Sequence, residues 1–151
     1  MLYSMYSTPN LILPIFSGIL IDKMGLRISV LFFMSFCLLG QFIFALGGSM
    51  VNFNVMLLGR FVYGLGCESA FFAQVAFSTK WFMEDGNLNF ALGVVNSIPL
   101  LGSTFNGLFT PKIYGSEDDP HLGRALFTGF AFCLVCYLCL LVLVFIDYKA
   151  D

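Results

Sequence analysis

The chain has 151 residues, of which 59% are hydrophobic, 17% aromatic and 11% charged, with a formal net charge of −2. A soluble domain carries about 25% charged residues, and a fold of this size has too much surface for so few charges to cover. Composition therefore excludes a soluble globular protein, a disordered tail and, with 7 Lys and Arg against 9 Asp and Glu, a nucleic-acid-binding module. The 5 cysteines are an odd number in apolar surroundings and do not form the spaced framework of a small secreted domain. What remains is an integral membrane protein. At roughly 20 residues per span, the length admits five or six helices.

The charge map predicts the spans in order. Met1–Ile21 is uncharged and holds Pro9 and Pro14, which a membrane helix tolerates by bending. It lacks a basic leading region and a small-residue cleavage site, so it is read as a span and not as a signal peptide. Asp22, Lys23 and Arg27 cluster around Gly25. The second span runs from Ile28 to about Met50, ending in the turn-like Gly47–Asn52 run. The third, Asn54–Thr79, is apolar apart from Arg60 and Glu68, and Lys80–Asn87 is a polar loop. Leu88–Thr110 is the fourth span, Pro111–Gly123 an acidic loop with Glu117, Asp118 and Asp119, and Ala125–Ile146 the fifth span. Each span clears the roughly 18-residue threshold for a membrane helix. The expected fold is all-α, one membrane domain over residues 1–151 with five transmembrane helices in the lipid bilayer. Lys23, Arg27, Lys80 and Lys149 fall on one side and Lys112 and Arg124 on the other. The excess of cations places the first side in the cytosol.

The turn after the first span reads Gly18-x-x-x-Asp22-Lys23-x-Gly25-x-Arg27. Gly18 lets a neighbouring helix approach closely, and Gly25 supplies the left-handed conformation of a tight reversal. Asp22 is disfavoured by the dipole at a helix C-terminus, so a cation or a helix N-terminus is expected beside it. This pattern between two membrane helices resembles the signature loop that joins the second and third helices of the major facilitator superfamily. The resemblance implies that Gly18, Asp22, Lys23, Gly25 and Arg27 form a conformational latch, closing one half of the fold against a helix of the other.

In the third span Arg60 stands four residues before a Gly-x-Gly, Gly64 and Gly66, similar to the superfamily's fourth helix. At about 100° per residue, Arg60, Gly64, Cys67, Phe71, Gln74 and Ser78 share a stripe, and Glu68 lies roughly 40° beyond Gly64. A charge inside the bilayer costs at least about 2.5–3.5 kcal/mol, so Arg60 and Glu68 face partners or a watery cavity. Their separation along the helix is about 12 Å, too far for a tight direct bridge. Arg60 is either a structural partner of another helix or a substrate contact. Glu68, near mid-span, can hold a substrate amine or carry a proton.

Asn96, Ser103 and Gly107 lie within about 20° of one line on the fourth span, a polar face for helix packing or for a ligand. Asn96, nearest the midplane, is the candidate binding residue. Cys133, Cys136 and Cys139 drift round the fifth span without an adjacent His or acid, and are read as small packing residues, not as a metal site. His121 follows a loop proline and is read as solvated. There is no Gly-rich phosphate loop, no nucleophile–base constellation and no Asn-x-Ser/Thr glycosylation site. The sequence points to no enzyme chemistry, no catalytic residue and no cofactor.

The run from Gly59 to Ser69, with Ala73-Gln74, Trp81-Phe82, Leu88-Asn89-Phe90, Gly93 and Gly102-Ser103-Thr104-x-Asn106, is similar to one branch of the superfamily, the lysosomal dipeptide uniporters. The resemblance extends from about Gly18 to Tyr114. It implies that Glu68 holds the peptide's amino terminus; Arg60, Gln74 and Asn96 complete the set of candidate substrate-binding residues. It also implies a basic residue for the carboxylate at the position occupied here by Leu100. The implied partners are a small-molecule substrate such as a dipeptide or amino acid, the other transporter half and a glycosylated single-span accessory protein. The chain matches superfamily helices two to six. The leading expectation is a part of a secondary transporter in a lysosomal or related membrane, unable to complete an alternating-access cycle alone. The alternative is a transporter-derived structural or assembly subunit of a larger membrane complex.

Overall fold

A computed structural model describes residues 13–83, 86–114 and 122–150. Residues 1–12 of the predicted first span, Glu84 and Asp85, the acidic Glu117–Asp119 loop, His121 and Asp151 lie outside the described residues. Five helices follow in order: α1 (Leu13–Met24), α2 (Leu26–Ser49), α3 (Phe53–Phe82), α4 (Leu88–Tyr114) and α5 (Leu122–Ala150). No strand occurs among the described residues. The four helices α2 to α5 are long and apolar enough to cross a membrane; Leu13–Ile21 of α1 is the described part of the predicted first span, and the helix continues past the expected end through Asp22 and Lys23 to Met24.

Several boundaries differ from the sequence expectation. Gly47 and Gly48 are inside α2 and buried, so the reversal is confined to Met50–Asn52. There Val51 is held at φ 52°, and the Asn52 side chain accepts a 3.1 Å hydrogen bond from the Asn54 amide, capping α3. Lys80, Trp81 and Phe82 continue α3, because nothing in them breaks a helix and the Met83 amide still bonds the Thr79 carbonyl at 3.1 Å. α4 runs through Pro111 to Tyr114, beyond the expected end at Thr110. α5 exceeds its expected bounds of Ala125 and Ile146 at both ends, since a helix does not stop where its apolar stretch does.

α2 is the central element, and the reason lies in its residue spacing. Phe33, Cys37, Gly40, Phe44 and Gly47 recur at alternating steps of four and three, and all are buried. On α3, Gly59, Tyr63, Gly66, Ala70 and Ala73 repeat the same steps, buried except for a half-buried Tyr63. Such a repeat holds one stripe against a partner helix, and small residues in the stripe let the backbones touch. A Cβ at Gly59 would stand 2.8 Å from the Phe44 Cα, and one at Gly66 2.8 Å from the Cys37 amide nitrogen. At Gly47 the obstacle is the Met56 amide nitrogen, at 2.6 Å. These are backbone contacts, so no side-chain rotation relieves them.

A second stripe on α2, from Arg27 through Leu31, Met34, Leu38, Gln41 and Ala45 to Gly48, has the same steps and faces α5. The matching α5 stripe runs from Leu126 through Phe130, Cys133, Tyr137, Leu140 and Val144 to Asp147, each half-buried or buried. Along this seam Gly123 lies against Ser49, and a Cβ at Gly129 would meet Gln41 Nε2 at 3.1 Å. The Phe42 and Phe130 rings are 5.2 Å apart, and the Ser35 and Tyr137 hydroxyls share a 3.1 Å hydrogen bond. α1 packs on α2 and α3 with Ser17 buried. α4 is the exposed helix, with only Ala91 buried among its described residues.

The helix approach expected at Gly18 is not found there: among the described residues nothing lies within 4 Å of a Cβ placed on it. The close approaches occur at the α2–α3 seam, where two glycine-bearing faces meet. Gly66→Ala is therefore expected to destabilise the fold by roughly 1–3 kcal/mol. Gly93→Ala, on α4 with nothing within 4 Å, is expected to be neutral or to stabilise by up to about 1 kcal/mol. Unfolding in detergent micelles followed by circular dichroism measures both, and equal effects would contradict the seam.

Candidate functional site

Two groups of side chains carry chemistry: the polar turn between α1 and α2, and the charges inside α3. At the turn, Gly25 has φ 81° and ψ 154°, a conformation that a side chain disfavours. It lets α2 start directly after α1 ends. The Ser29 amide bonds the Gly25 carbonyl at 3.1 Å and the Ser29 hydroxyl donates to the same carbonyl at 2.8 Å, fixing the first turn of α2. Asp22 and Lys23 are exposed, whereas Arg27 is half-buried.

Arg27 meets Asp147, the last position of the α2–α5 seam. Its Nε donates to Asp147 Oδ2, and its Nη2 donates to the Asp147 backbone oxygen at 2.9 Å. The second bond places a cation at the C-terminal end of α5, where the helix dipole favours it. The other carboxylate oxygen, Oδ1, accepts the Trp81 indole N–H at 2.8 Å and lies 3.5 Å from Lys80 Nζ. Asp147 is 1% exposed, a position that an ionised carboxylate holds only when paired and hydrogen-bonded. One carboxylate therefore ties together the start of α2, the end of α3 and the end of α5. Arg27 belongs to the motif visible in the sequence; Asp147 is not singled out by the sequence reading, and Trp81 enters it only through the resemblance, not as a contact of this motif. The available signal for Asp147 is its place at the end of the four-three repeat on α5, where a buried acid requires a cation.

Within α3, Arg60 is half-buried and its Cζ stands 4.1 Å from the centroid of the Phe44 ring. A guanidinium over an aromatic face gains electrostatic attraction, and Phe44 is itself 4% exposed and held against Gly59. The seam thus fixes where the Arg60 charge sits. Glu68 is also half-buried and lies on the side of α3 turned away from the seam, about 160° from Gly66. Gln74 is exposed, and the Ser78 hydroxyl donates to its carbonyl at 3.0 Å. Asn96 is exposed on α4 and donates its amide to the Leu92 carbonyl at 2.9 Å. Leu100, one turn further on, is exposed as well. Arg60, Glu68 and Gln74 therefore share one helix, while Asn96 stands on another that packs only lightly against the rest.

Two concavities stand out among the described residues. One, of about 220 Å³, lies between α1, α2 and α3 and is lined by Phe16, Ser17, Phe33 and Ser69 among others. The other, of about 410 Å³, lies between α3 and α5 beside Trp81 and Asp147. Neither is lined by Arg60, Glu68, Gln74 or Asn96. Cys133 is half-buried, Cys136 and Cys139 are exposed, and among the described residues no group of three His, Cys, Asp or Glu is placed to hold a metal ion.

Comparison with known proteins agrees with this architecture. The Major Facilitator Superfamily profile matches residues 1–150. The chain is 38% identical over 159 aligned residues to the lysosomal dipeptide transporter MFSD1 of Homo sapiens, covering 100% of the chain and 34% of that protein. The Bos taurus protein of the same name is 37% identical over 159 residues, with 100% and 34% covered. For Danio rerio the figures are 37% over 158 residues, 99% and 34%. The chain thus spans about 34% of the length of the curated relatives it matches, and these relatives are transporters. With a profile match along almost its whole length and relatives at this identity, the chain belongs to the major facilitator superfamily.

Proposed function

We propose that this chain forms part of an alternating-access transporter that moves a dipeptide, or a related small organic solute such as an amino acid, across a lysosomal or related membrane. The observation that carries the proposal is α3: it holds two charged residues, Arg60 and Glu68, within a helix long and apolar enough to cross a membrane, in a chain that aligns from end to end with proteins named as lysosomal dipeptide transporters. Intramembrane charges are costly and mark substrate or ion paths. In such transporters the solute binds near the midplane between two halves that rock about it. Glu68 is the residue for the substrate's ammonium, and Gln74 and Asn96 supply neutral hydrogen-bonding groups on the same path. The remaining transporter half and a glycosylated single-span accessory protein are the partners that this reading includes.

The turn from Gly18 to Arg27 serves as the cytosolic latch in this reading. Asp22 and Lys23, being exposed, are available to the other half, while Arg27 anchors the turn to α5 and α3 through Asp147. The latch would then act as a rigid block, because its inner end is held by a buried carboxylate and its outer end is solvated.

Two outcomes follow. Glu68→Gln keeps the shape of the side chain and removes its charge, so dipeptide uptake into proteoliposomes by the native protein should fall at least about tenfold, the equivalent of losing one charge-assisted hydrogen bond of roughly 1.5–3 kcal/mol. Unchanged uptake would contradict the assignment. Asp147→Asn should cost roughly 1.5–3 kcal/mol of stability and should accelerate amide hydrogen exchange at Leu26–Val30. Unchanged exchange there would show that the turn is held by something other than Asp147.

A further inference from the structure

The smaller of the two concavities lies apart from the charged side chains of α3. It encloses about 220 Å³ between α1, α2 and α3, and among the described residues none that lines it is charged. Phe16, Phe32, Phe33, Phe36 and Leu65 form most of its wall. Phe16 and Phe32 are exposed, whereas Phe33 is buried, so the cavity runs inward from the first two rings. Ser69, 1% exposed, completes the inner wall.

A serine inside a helix can turn its hydroxyl back to the carbonyl four residues earlier. Ser29, Ser35, Ser78 and Ser97 all do so, at 2.8–3.0 Å. Ser69 does not: its Oγ is buried with no hydrogen-bond partner among the described residues. An unpaired buried hydroxyl is costly, and a group that enters the cavity and supplies the bond removes that cost. The other hydroxyl on the wall, Ser17, already has an interaction of its own. A buried water needs about two to four polar partners, which walls of phenylalanine and leucine do not supply. The cavity therefore suits an apolar molecule with one hydrogen-bonding group.

Size and depth narrow the class. An apolar protein cavity of about 150 Å³ holds a benzene ring, so about 220 Å³ holds one ring with a short substituent. Ser69 is roughly midway along α3, about 18 Å of helix rise from Trp81. Phospholipid head groups and the sterol hydroxyl stay at the membrane surface, and their apolar tails bring no hydrogen-bonding group to this depth. A charged ligand would find no counter-charge on these walls. The Phe32 ring meets Phe33 at 63° and Phe36 at 74°, so the wall offers both ring faces and ring edges to an aromatic ligand.

We propose that the cavity between α1, α2 and α3 is a binding site for a small neutral phenol dissolved in the bilayer. Its ring lies among the phenylalanines and its oxygen bonds the Ser69 hydroxyl. The bound ring touches α1 on one side and the α2–α3 pair on the other, and so joins the helix that leads into the Gly25 turn to the glycine seam. The site depends on neither Arg60 nor Glu68.

The test is photolabelling of the native protein in lipid nanodiscs with an alkylphenol that carries a diazirine, the labelled residues being located by mass spectrometry. Label is expected on Phe16–Leu20 and Phe32–Phe36. 4-Ethylphenol should displace it at about fivefold lower membrane concentration than 4-ethyltoluene, which has the same shape but a methyl in place of the hydroxyl; that ratio corresponds to one neutral hydrogen bond. Ser69→Ala removes only the hydroxyl, so the label should stay in place and the two competitors should become equal. Label spread evenly over the helices, or confined to other residues, would overturn the site. Equal displacement by the two competitors in the unaltered protein would overturn the proposal without needing any variant, and so would a difference that survives in Ser69→Ala.

Discussion

Close contact between the backbones of α2 and α3 is the constraint on which the packed part of the bundle depends. Lipid offers no hydrophobic drive for one apolar helix to seek another, so association rests on packing and on interhelical polar contacts. Glycine at Gly40, Gly47, Gly59 and Gly66 brings backbone against backbone, which multiplies dispersion contacts that are individually small. The approach also fixes rotation. With Gly59 and Gly66 turned toward α2, the opposite side of α3 is committed, and Glu68 stands on it. The same approach buries Phe44 and so decides where the Arg60 charge comes to rest.

The polar end of the bundle is organised by the same central helix. Because α2 presents one stripe to α3 and another to α5, its first turn lies between their ends, and Arg27 meets a carboxylate supplied by α5 and shared with Trp81 of α3. The glycines set the distance between helices in the middle of the bundle, and Asp147 sets their register at the end that carries Lys23, Arg27, Lys80 and Lys149. The polar turn is thereby anchored on its inner side and exposed at Asp22 and Lys23.

Much of the fold was legible from charge alone, because an apolar run that must cross lipid has few alternatives to a helix. The boundaries were less legible where residues looked like loop formers but had no steric reason to end a helix. Lys80–Phe82 is one case and Gly47-Gly48 the other. Gly47 and Gly48 signalled a turn by composition, whereas the spacing of Gly47 with Gly40 and Phe44 signalled a packing seam. Gly18 is the opposite case: a small residue in a motif suggests a contact, and among the described residues nothing lies against it. Arg60 and Glu68 stood out because charge is rare in a span. Asp147 did not, since an acid near a chain end looks solvated until the α5 repeat is followed to its last position. Asn96 was placed by depth on its helix, and depth says nothing of which neighbour a side chain meets.

If the glycine seam makes α2 and α3 one rigid unit that carries the charges of α3, the two helices keep their spacing whatever is bound. Pulsed electron spin resonance between labels introduced at Leu39 and Phe61, both exposed, reports on that unit directly in a lipid bilayer. A rigid pair gives a single narrow distance distribution that does not change when a saturating dipeptide is added. A broad distribution, or one that shifts with the dipeptide, would show that the two helices move against each other and would contradict it.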